Sequence, residues 1–203
     1  MSEPAAVPDI VLASRSPRRA ELLERLGLEF EIVPAEIDES YVDHEMPADH
    51  CERLAREKAV SVASKRSGAL VLGSDTIVLL GHNVMGKPRS EEDAVEMLMQ
   101  LSGRTHEVYT GVAVAFEGRI ESTLERVQVR FRNMDRELCE GYVATGEPLD
   151  KAGAYGIQGY GSALVERIDG DYFAVMGLPV VRTLELFRRH GFHYRFRGLE
   201  RMR

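Results

Sequence analysis

The chain has 203 residues, 44% of them hydrophobic and 29% charged, with a formal net charge of −7. That length supports one substantial core with room for two lobes, and the acidic balance argues against a nonspecific nucleic-acid binder, which needs a broadly basic surface. Cys51 and Cys139 are too few for a disulfide scaffold and lack metal-site spacing; residues 1–4 open without a basic leader pattern and no apolar run is long enough to span a membrane, so the reading is a cytoplasmic protein.

The first apolar run, residues 10–13, predicts a buried strand that breaks at Ser14. Ser16 and Pro17 form a helix-start pattern, with serine as N-cap and proline in the first helical position. Ala20, Leu22, Leu23 and Leu26 supply the apolar stripe, and Gly27 the stop. Arg18 and Arg19 then fall in the first helical turn, where cations oppose the macrodipole. Backbone donors, serine hydroxyls and three arginines on one strand-to-helix turn suit a polyanion, most simply phosphate. A capped surface helix with solvated arginines is the alternative, since this is not a Walker-type glycine loop.

Residues 30–33 read as a short strand and residues 34–39 as an acidic loop, whose carboxylates are ordinarily just solvated. A second helix over residues 47–64 carries the stripe Cys51, Leu54, Ala55, Ala59 and Val62, with Arg53, Arg56 and Glu57 toward the other side. Lys58 falls near the middle of that stripe. A lysine on a packed face must find an anion or snorkel out, so a buried ion pair, a snorkelling stem and a ligand-facing role all stay open.

Residues 69–73 and 77–80 are apolar and flank Gly73-Ser74-Asp75-Thr76. Asp75 between such flanks, at the end of a central strand, suits a general base or a metal ligand; a turn-stabilising aspartate is the alternative. Gly81-His82-Asn83 closes a hairpin. Ser90 caps a third helix that has Glu91, Glu92 and Asp93 in its first turn, Ala94, Val95, Leu98 and Leu101 on its stripe, and Ser102-Gly103 at its end. Lys87, just before it, is a phosphate contact or an ordinary loop lysine.

Residues 108–116 read as a strand, turned by Glu117-Gly118 into a half-exposed antiparallel strand over residues 120–131, where Val127, Val129 and Phe131 share one face. A short helix over residues 135–143 points Leu138, Tyr142 and Val143 inward. The glycine-rich segment 146–161 is either a ligand-approaching loop or a flexible connector; Ala152, Tyr155 and Ile157 argue for order, and Gln158 offers a donor and an acceptor for a base edge. Residues 163–168 and 172–175 predict a hairpin around Asp169-Gly170. A last helix starts at Pro179, with Val180, Val181, Leu184 and Phe187 as its stripe, and the basic end, residues 188–203, reads as a solvated tail. Helices and strands alternate early and strands cluster later, so the class is α/β with a mixed sheet.

Six stretches, in this order, resemble the Maf family of nucleotide pyrophosphatases over nearly the whole chain: Ser14-Arg15-Ser16-Pro17-Arg18-Arg19, Leu54-Ala55-Arg56-Glu57-Lys58-Ala59, Gly73-Ser74-Asp75-Thr76, Lys87-Pro88, Leu101-Ser102-Gly103 and Asp150-Lys151-Ala152-Gly153. The resemblance implies an inosine-triphosphatase-like α/β fold, an elongated mixed sheet flanked by helices. It also implies two lobes around a central cleft within a single domain, residues 1–203, without a separable linker. The implied reaction is hydrolysis of a nucleoside triphosphate at the α–β anhydride with a divalent metal cation, Mg²⁺ or Mn²⁺, in a homodimer. Links to cell-division arrest and to removal of modified nucleotides come with the family.

Carried over residue by residue, the resemblance makes Asp75 the proton acceptor, with Lys58 and Lys87 as further catalytic groups on the phosphates. Ser14, Arg18 and Arg19 bind substrate phosphates, and Asp75 with Glu39 holds the metal. Residues 150–159 look like the branch acting on dTTP and UTP, in which Arg18, Thr76 and Gln158 match positions associated with specificity. Ser74 stands where alanine is common in the family, with little effect expected. A covalent intermediate is not expected, because no Ser-His-Asp or Cys-His pair stands at suggestive positions. The competing readings are a pyrophosphatase for 7-methyl-GTP or other noncanonical nucleotides, and a non-catalytic nucleotide- or nucleic-acid-binding regulator of septum formation.

Overall fold

Ile10, Val11 and Leu12 form a three-residue buried strand, β1 (Ile10–Leu12), at the head of a computed structural model that describes residues 7–202. The expectations placed on residues 1–4 and on Arg203 lie outside those residues. Helix α1 (Pro17–Arg25) follows and ends at Gly27, where the Gly27 amide donates to the Glu24 carbonyl (2.8 Å) and the Leu28 amide to the Leu23 carbonyl (3.2 Å). That pair of bonds is a Schellman motif, which satisfies carbonyls left over by the last turn. Ser16 does occupy the N-cap, yet its side chain makes no capping bond. Ser14 stands in for it: its Oγ accepts from the Ser16 amide at 3.2 Å.

Next come β2 (Phe30–Ile32), helix α2 (Pro47–Ala63) and an eleven-residue strand, β3 (Leu70–Leu80). Both β1–β2 and β1–β3 pair in parallel. Contrary to expectation, Gly73-Ser74-Asp75-Thr76 does not interrupt β3, and Asp75 lies in mid-strand rather than at a strand end. The polar residues do not break the strand because they bring their own partners: the buried Ser74 hydroxyl lies 2.8 Å from the Gly111 carbonyl and 2.9 Å from that of Gly177. A two-residue hairpin loop leads to β4 (Asn83–Met85), antiparallel to the end of β3.

Helix α3 (Glu91–Leu101) is capped as its sequence predicts, Ser90 Oγ accepting from the Asp93 amide. The long strands β5 (Thr105–Phe116) and β6 (Arg119–Phe131) follow, then α4 (Arg136–Val143), capped by Asp135, and β7 (Val165–Asp169), antiparallel to β6. Residues 172–175 depart from expectation: they belong to a short helix, α5 (Tyr172–Met176), rather than to a strand. Asp171 causes this, its carboxylate accepting from the Phe173 amide (2.8 Å) and starting a helical turn.

Helix α6 (Val180–Arg189) buries Thr183, Leu186 and Phe187 and leaves Val181 mostly exposed, so its packed face is rotated from the predicted stripe. The basic end is not a simple solvated tail. It folds into a hairpin of β8 (Phe192–Tyr194) and β9 (Leu199–Arg201), with Phe192 and Leu199 buried and the Tyr194 hydroxyl donating to the Leu26 carbonyl.

The main sheet has the hydrogen-bonding order β2-β1-β3-β5-β6-β7, with β4 on β3. The described residues divide into two units, the first comprising residues 7–75, 110–124 and 177–202 and the second residues 76–109 and 125–176; β3, β5 and β6 each contribute residues to both. In the first unit α2 lies directly on β3 and β5. A Cβ on Gly73 would sit 2.3 Å from the Ala55 carbonyl oxygen, and one on Gly111 would sit 2.6 Å from that of Cys51. Only glycine admits a helix backbone this close, and the contact seats the buried face of α2 against Asp75. The second unit has its own apolar core, in which Leu98 and Leu101 of α3 pack with Val127, Val129 and Phe131 of β6 and Tyr155.

Candidate functional site

Lys58 settles how a lysine survives on the packed face of α2. Its side chain is largely buried, and its ammonium lies 2.7 Å from Asp75 Oδ1 and 2.7 Å from Glu39 Oε1. Burying an unpaired ammonium would cost several kcal/mol, so two carboxylates on one cation make the placement tenable. Asp75 is itself buried, whereas Glu39 reaches in from a loop and stays largely exposed.

That loop is fastened to α2. Asp38 Oδ1 accepts from both the amide and the hydroxyl of Ser40. Arg53 donates to the Ser40 carbonyl and, through Nε and Nη2, to the two oxygens of Glu45. His50 closes the clamp, with Nδ1 2.8 Å from Glu45 Oε2 and its ring stacked on Tyr41. The guanidinium of Arg53 holds the Glu45 carboxyl at about 2, well below the usual range.

A second pair of groups lies at the α1 turn. Arg19 is buried, donating from Nε to the Gly177 carbonyl (2.8 Å) and from Nη1 to Ser14 Oγ (2.9 Å). Burial pushes its guanidinium below the ordinary arginine pKa, and the charge of Asp75 pushes back. Arg15 is exposed and Arg18 half-buried on the same turn. The first turn of α1 itself contains no acid.

Hydrogen bonds join the two pairs into one network. The Gly177 carbonyl receives Arg19 and Ser74; Ser74 also reaches the Gly111 carbonyl; the Gly111 amide donates to Cys51 Sγ (3.2 Å), and the Cys51 thiol donates to the Asp75 carbonyl (3.3 Å). Ser14, Arg19, Ser74, Cys51, Asp75, Lys58 and Glu39 are thus continuous through hydrogen bonds and backbone. Desolvation, aided by the charge of Asp75, pushes the Cys51 thiol up to about 12, so it serves as a neutral donor and not as a nucleophile. The network can hold two cations against an anionic ligand beside the Asp75 carboxylate. A groove of about 660 Å³ lined by Asp49, Glu52, Arg53, Arg56 and Ile120 contains none of these network residues.

Residues 9–190 match the family described as Maf-like protein. The chain belongs to the Maf family. Three relatives, each named dTTP/UTP pyrophosphatase, align along most of this Maf protein. That of Moorella thermoacetica is 56% identical, covering 90% of this chain and 95% of its own. That of Aquifex aeolicus is 44% identical over 88% and 94%, and that of Halalkalibacterium halodurans 45% identical over 92% and 98%. Among solved structures, a HAM1 protein from Coxiella burnetii aligns with TM-score 0.43 and 16% identity, covering 62% of this chain and 73% of that one, a likeness too slight to argue from.

Of the residues that the Maf resemblance singled out, Ser14, Arg18, Arg19, Glu39, Lys58 and Asp75 belong to the first unit, where the network joins Ser14, Arg19, Glu39, Lys58 and Asp75. Thr76, Lys87 and Gln158 belong to the second unit. There Lys87 is exposed, and Gln158 is half-buried in the segment between α4 and β7. Sequence reasoning missed Cys51, which it took for core, and Ser74, whose hydroxyl it discounted. Cys51 did leave a signal, standing seven residues before Lys58 on the same helical face. The Gly177 carbonyl left none, because a backbone oxygen carries no residue identity.

Proposed function

We propose that this Maf protein hydrolyses nucleoside triphosphates at the α–β anhydride, with dTTP and UTP preferred, releasing the nucleoside monophosphate and pyrophosphate. The names of its relatives support the substrate class. The observation that carries the chemistry is the Lys58 ammonium, 2.7 Å from both Asp75 and Glu39 and networked to the buried Arg19. Hydrolysis at phosphorus asks for charge neutralisation and an oriented water more than for covalent help. Arg19, Arg18, Lys58 and Lys87 supply positive charge for the phosphates, and Ser14 Oγ a further polar contact.

Asp75 acts as general base. It takes a proton from the attacking water as the new oxygen–phosphorus bond forms at the α-phosphorus. The bond from that phosphorus to the bridging oxygen breaks, and its electron pair leaves with pyrophosphate. Lys58 holds the carboxylate aimed until substrate arrives. Gln158 pairs its amide with the imide edge that thymine and uracil share, and Arg18 and Thr76 contribute to base selection.

Two carboxylates converging on one cation position, as Asp75 and Glu39 do on Lys58 Nζ, form a hard-oxygen pair suited to Mg²⁺ or Mn²⁺. Among the described residues no group of three or more His, Cys, Asp or Glu side chains could hold a metal ion; Mg²⁺ commonly completes its shell with substrate phosphates and water. When bound, such a cation would screen the triphosphate and polarise the scissile anhydride.

The reading is tested by pyrophosphate release from dTTP, UTP, CTP and 7-methyl-GTP, with Mg²⁺ or Mn²⁺ and with chelator. Metal-dependent release led by dTTP and UTP is expected. A lead by 7-methyl-GTP would overturn the specificity, and nucleotide binding without release would leave a regulator.

A further inference from the structure

One carboxylate organises the glycine-rich segment between α4 and β7. Glu147 Oε1 accepts from the Tyr142 hydroxyl (2.8 Å) and the Gly161 amide (3.0 Å), and Oε2 accepts from the Tyr160 amide (2.9 Å). The Tyr142 hydroxyl in turn accepts from the Gly156 amide at 3.0 Å. Lys151 donates to the Glu147 carbonyl and pairs with Asp150 at 2.6 Å. The chain is therefore held at residues 147, 151, 156, 160 and 161, and Gln158 sits between the last holds.

The fit around this carboxylate is close. A Cβ at Gly159 would come within 2.3 Å of Glu147 Oε2, and one at Gly161 within 2.1 Å of the Gly156 carbonyl oxygen and 2.7 Å of the Tyr142 hydroxyl. Both glycines exist to let backbone reach the Glu147–Tyr142 pair. Burial alone would raise the Glu147 pKa, but the bonds from Tyr142, Gly161 and Tyr160 outweigh it and hold the carboxyl below its ordinary value. An ionised group accepting three hydrogen bonds is a stiff centre for a loop otherwise rich in glycine. The half-buried Gln158 amide makes no hydrogen bond to the described residues, so the backbone beneath it is what sets where the side chain starts.

We propose that Glu147 is a positioning residue for base recognition: its carboxylate shapes the loop that presents Gln158, and through it sets the preference for dTTP and UTP over CTP. This rests on the reading of Gln158 as the group that meets the base. Cytosine carries an amino donor where thymine and uracil carry a carbonyl acceptor, so a fixed Gln158 discriminates and a wandering one does not.

The experiment is steady-state kinetics on dTTP, UTP and CTP for wild type, Glu147→Gln, Tyr142→Phe, Gln158→Ala and the Glu147→Gln/Gln158→Ala double variant, with thermal unfolding as the folding control. Glu147→Gln swaps an acceptor oxygen for a donor. It is expected to raise KM for dTTP and UTP about tenfold, to keep kcat within about threefold, and to lower the preference over CTP about tenfold. Tyr142→Phe, the milder change, should shift the preference the same way by about threefold. In the Gln158→Ala background Glu147→Gln should cost no further preference, because the two act through one contact.

A fall in kcat with the preference intact would overturn the proposal and make Glu147 merely structural. So would effects of Glu147→Gln and Gln158→Ala that multiply. If Gln158→Ala itself leaves the preference unchanged, the base-reading role of Gln158 falls and the proposal falls with it. If Gln158→Ala removes the preference and Glu147→Gln does not, the proposal alone falls.

Discussion

Lys58 and Ser74 teach opposite lessons about reading single residues. A lysine on the apolar face of α2 violates the binary pattern of its helix, and the violation is visible in the sequence; the structure resolves it as a doubly paired ammonium. Ser74 violates nothing, since a small polar residue near a strand centre is unremarkable, and its position in the family motif suggested little effect. Its hydroxyl nevertheless is buried and lies between two carbonyls contributed by residues 37 and 103 positions away. Ser74→Ala removes the hydroxyl that lies against these two carbonyls, while Gly177 keeps Arg19. A hydrogen bond within a protein contributes about 0.5–1.5 kcal/mol net, so urea unfolding should show Ser74→Ala destabilised by about 1 kcal/mol. A variant as stable as wild type would mean that these bonds contribute nothing net.

Among elements, helices α1, α2 and α3 were legible from their apolar stripes, joined in α1 and α3 by start and stop residues, and their observed ends fall within a residue or two of the expected ones. The failures share a physical origin. Continuity of β3 through Asp75 depends on partners from β5 and from the residue before Leu178, and the hairpin of β8 and β9 depends on a carbonyl at the end of α1. Local periodicity carries neither.

His106 is a third case, invisible beforehand. It lies on β5, buried edge-on against Phe131 of β6 and against Tyr155, with Nε2 2.9 Å from the Tyr155 hydroxyl and no partner for Nδ1 among the described residues. Burial pushes its pKa down to about 4. The unfolded chain, with an ordinary histidine near 6.5, binds the proton more readily, so stability rises with pH across that window and falls as pH drops from about 6.5 toward 4. Between pH 7 and pH 5 this one group should remove about 2 kcal/mol. Urea unfolding at both pH values should show that loss in wild type and a loss smaller by about that amount in His106→Gln. Equal losses would place the protonation elsewhere.

At the scale of the whole molecule, the proposed function asks an acidic protein to bind a polyanion through short-range contacts, because its net charge of −7 does not attract one from a distance. The buried network meets this by keeping Arg19 and Lys58 in a cluster with the carboxylates Asp75 and Glu39. The motifs made this part of the site legible, and the first unit gathers most of their residues although they are spread from residue 14 to residue 75. The connecting parts were not legible, because a thiol, a hydroxyl and two backbone carbonyls have ordinary core identities until the fold brings them together.

The measurement that bears most directly on this mechanism is Asp75→Asn, assayed side by side for dTTP turnover and for dTTP binding by calorimetry. Removing the carboxylate takes away the base and also one of the two anions facing Lys58. Turnover should therefore fall by about 10²–10⁴-fold, while binding stays the same or tightens. Turnover within tenfold of wild type would contradict the role of Asp75 as general base.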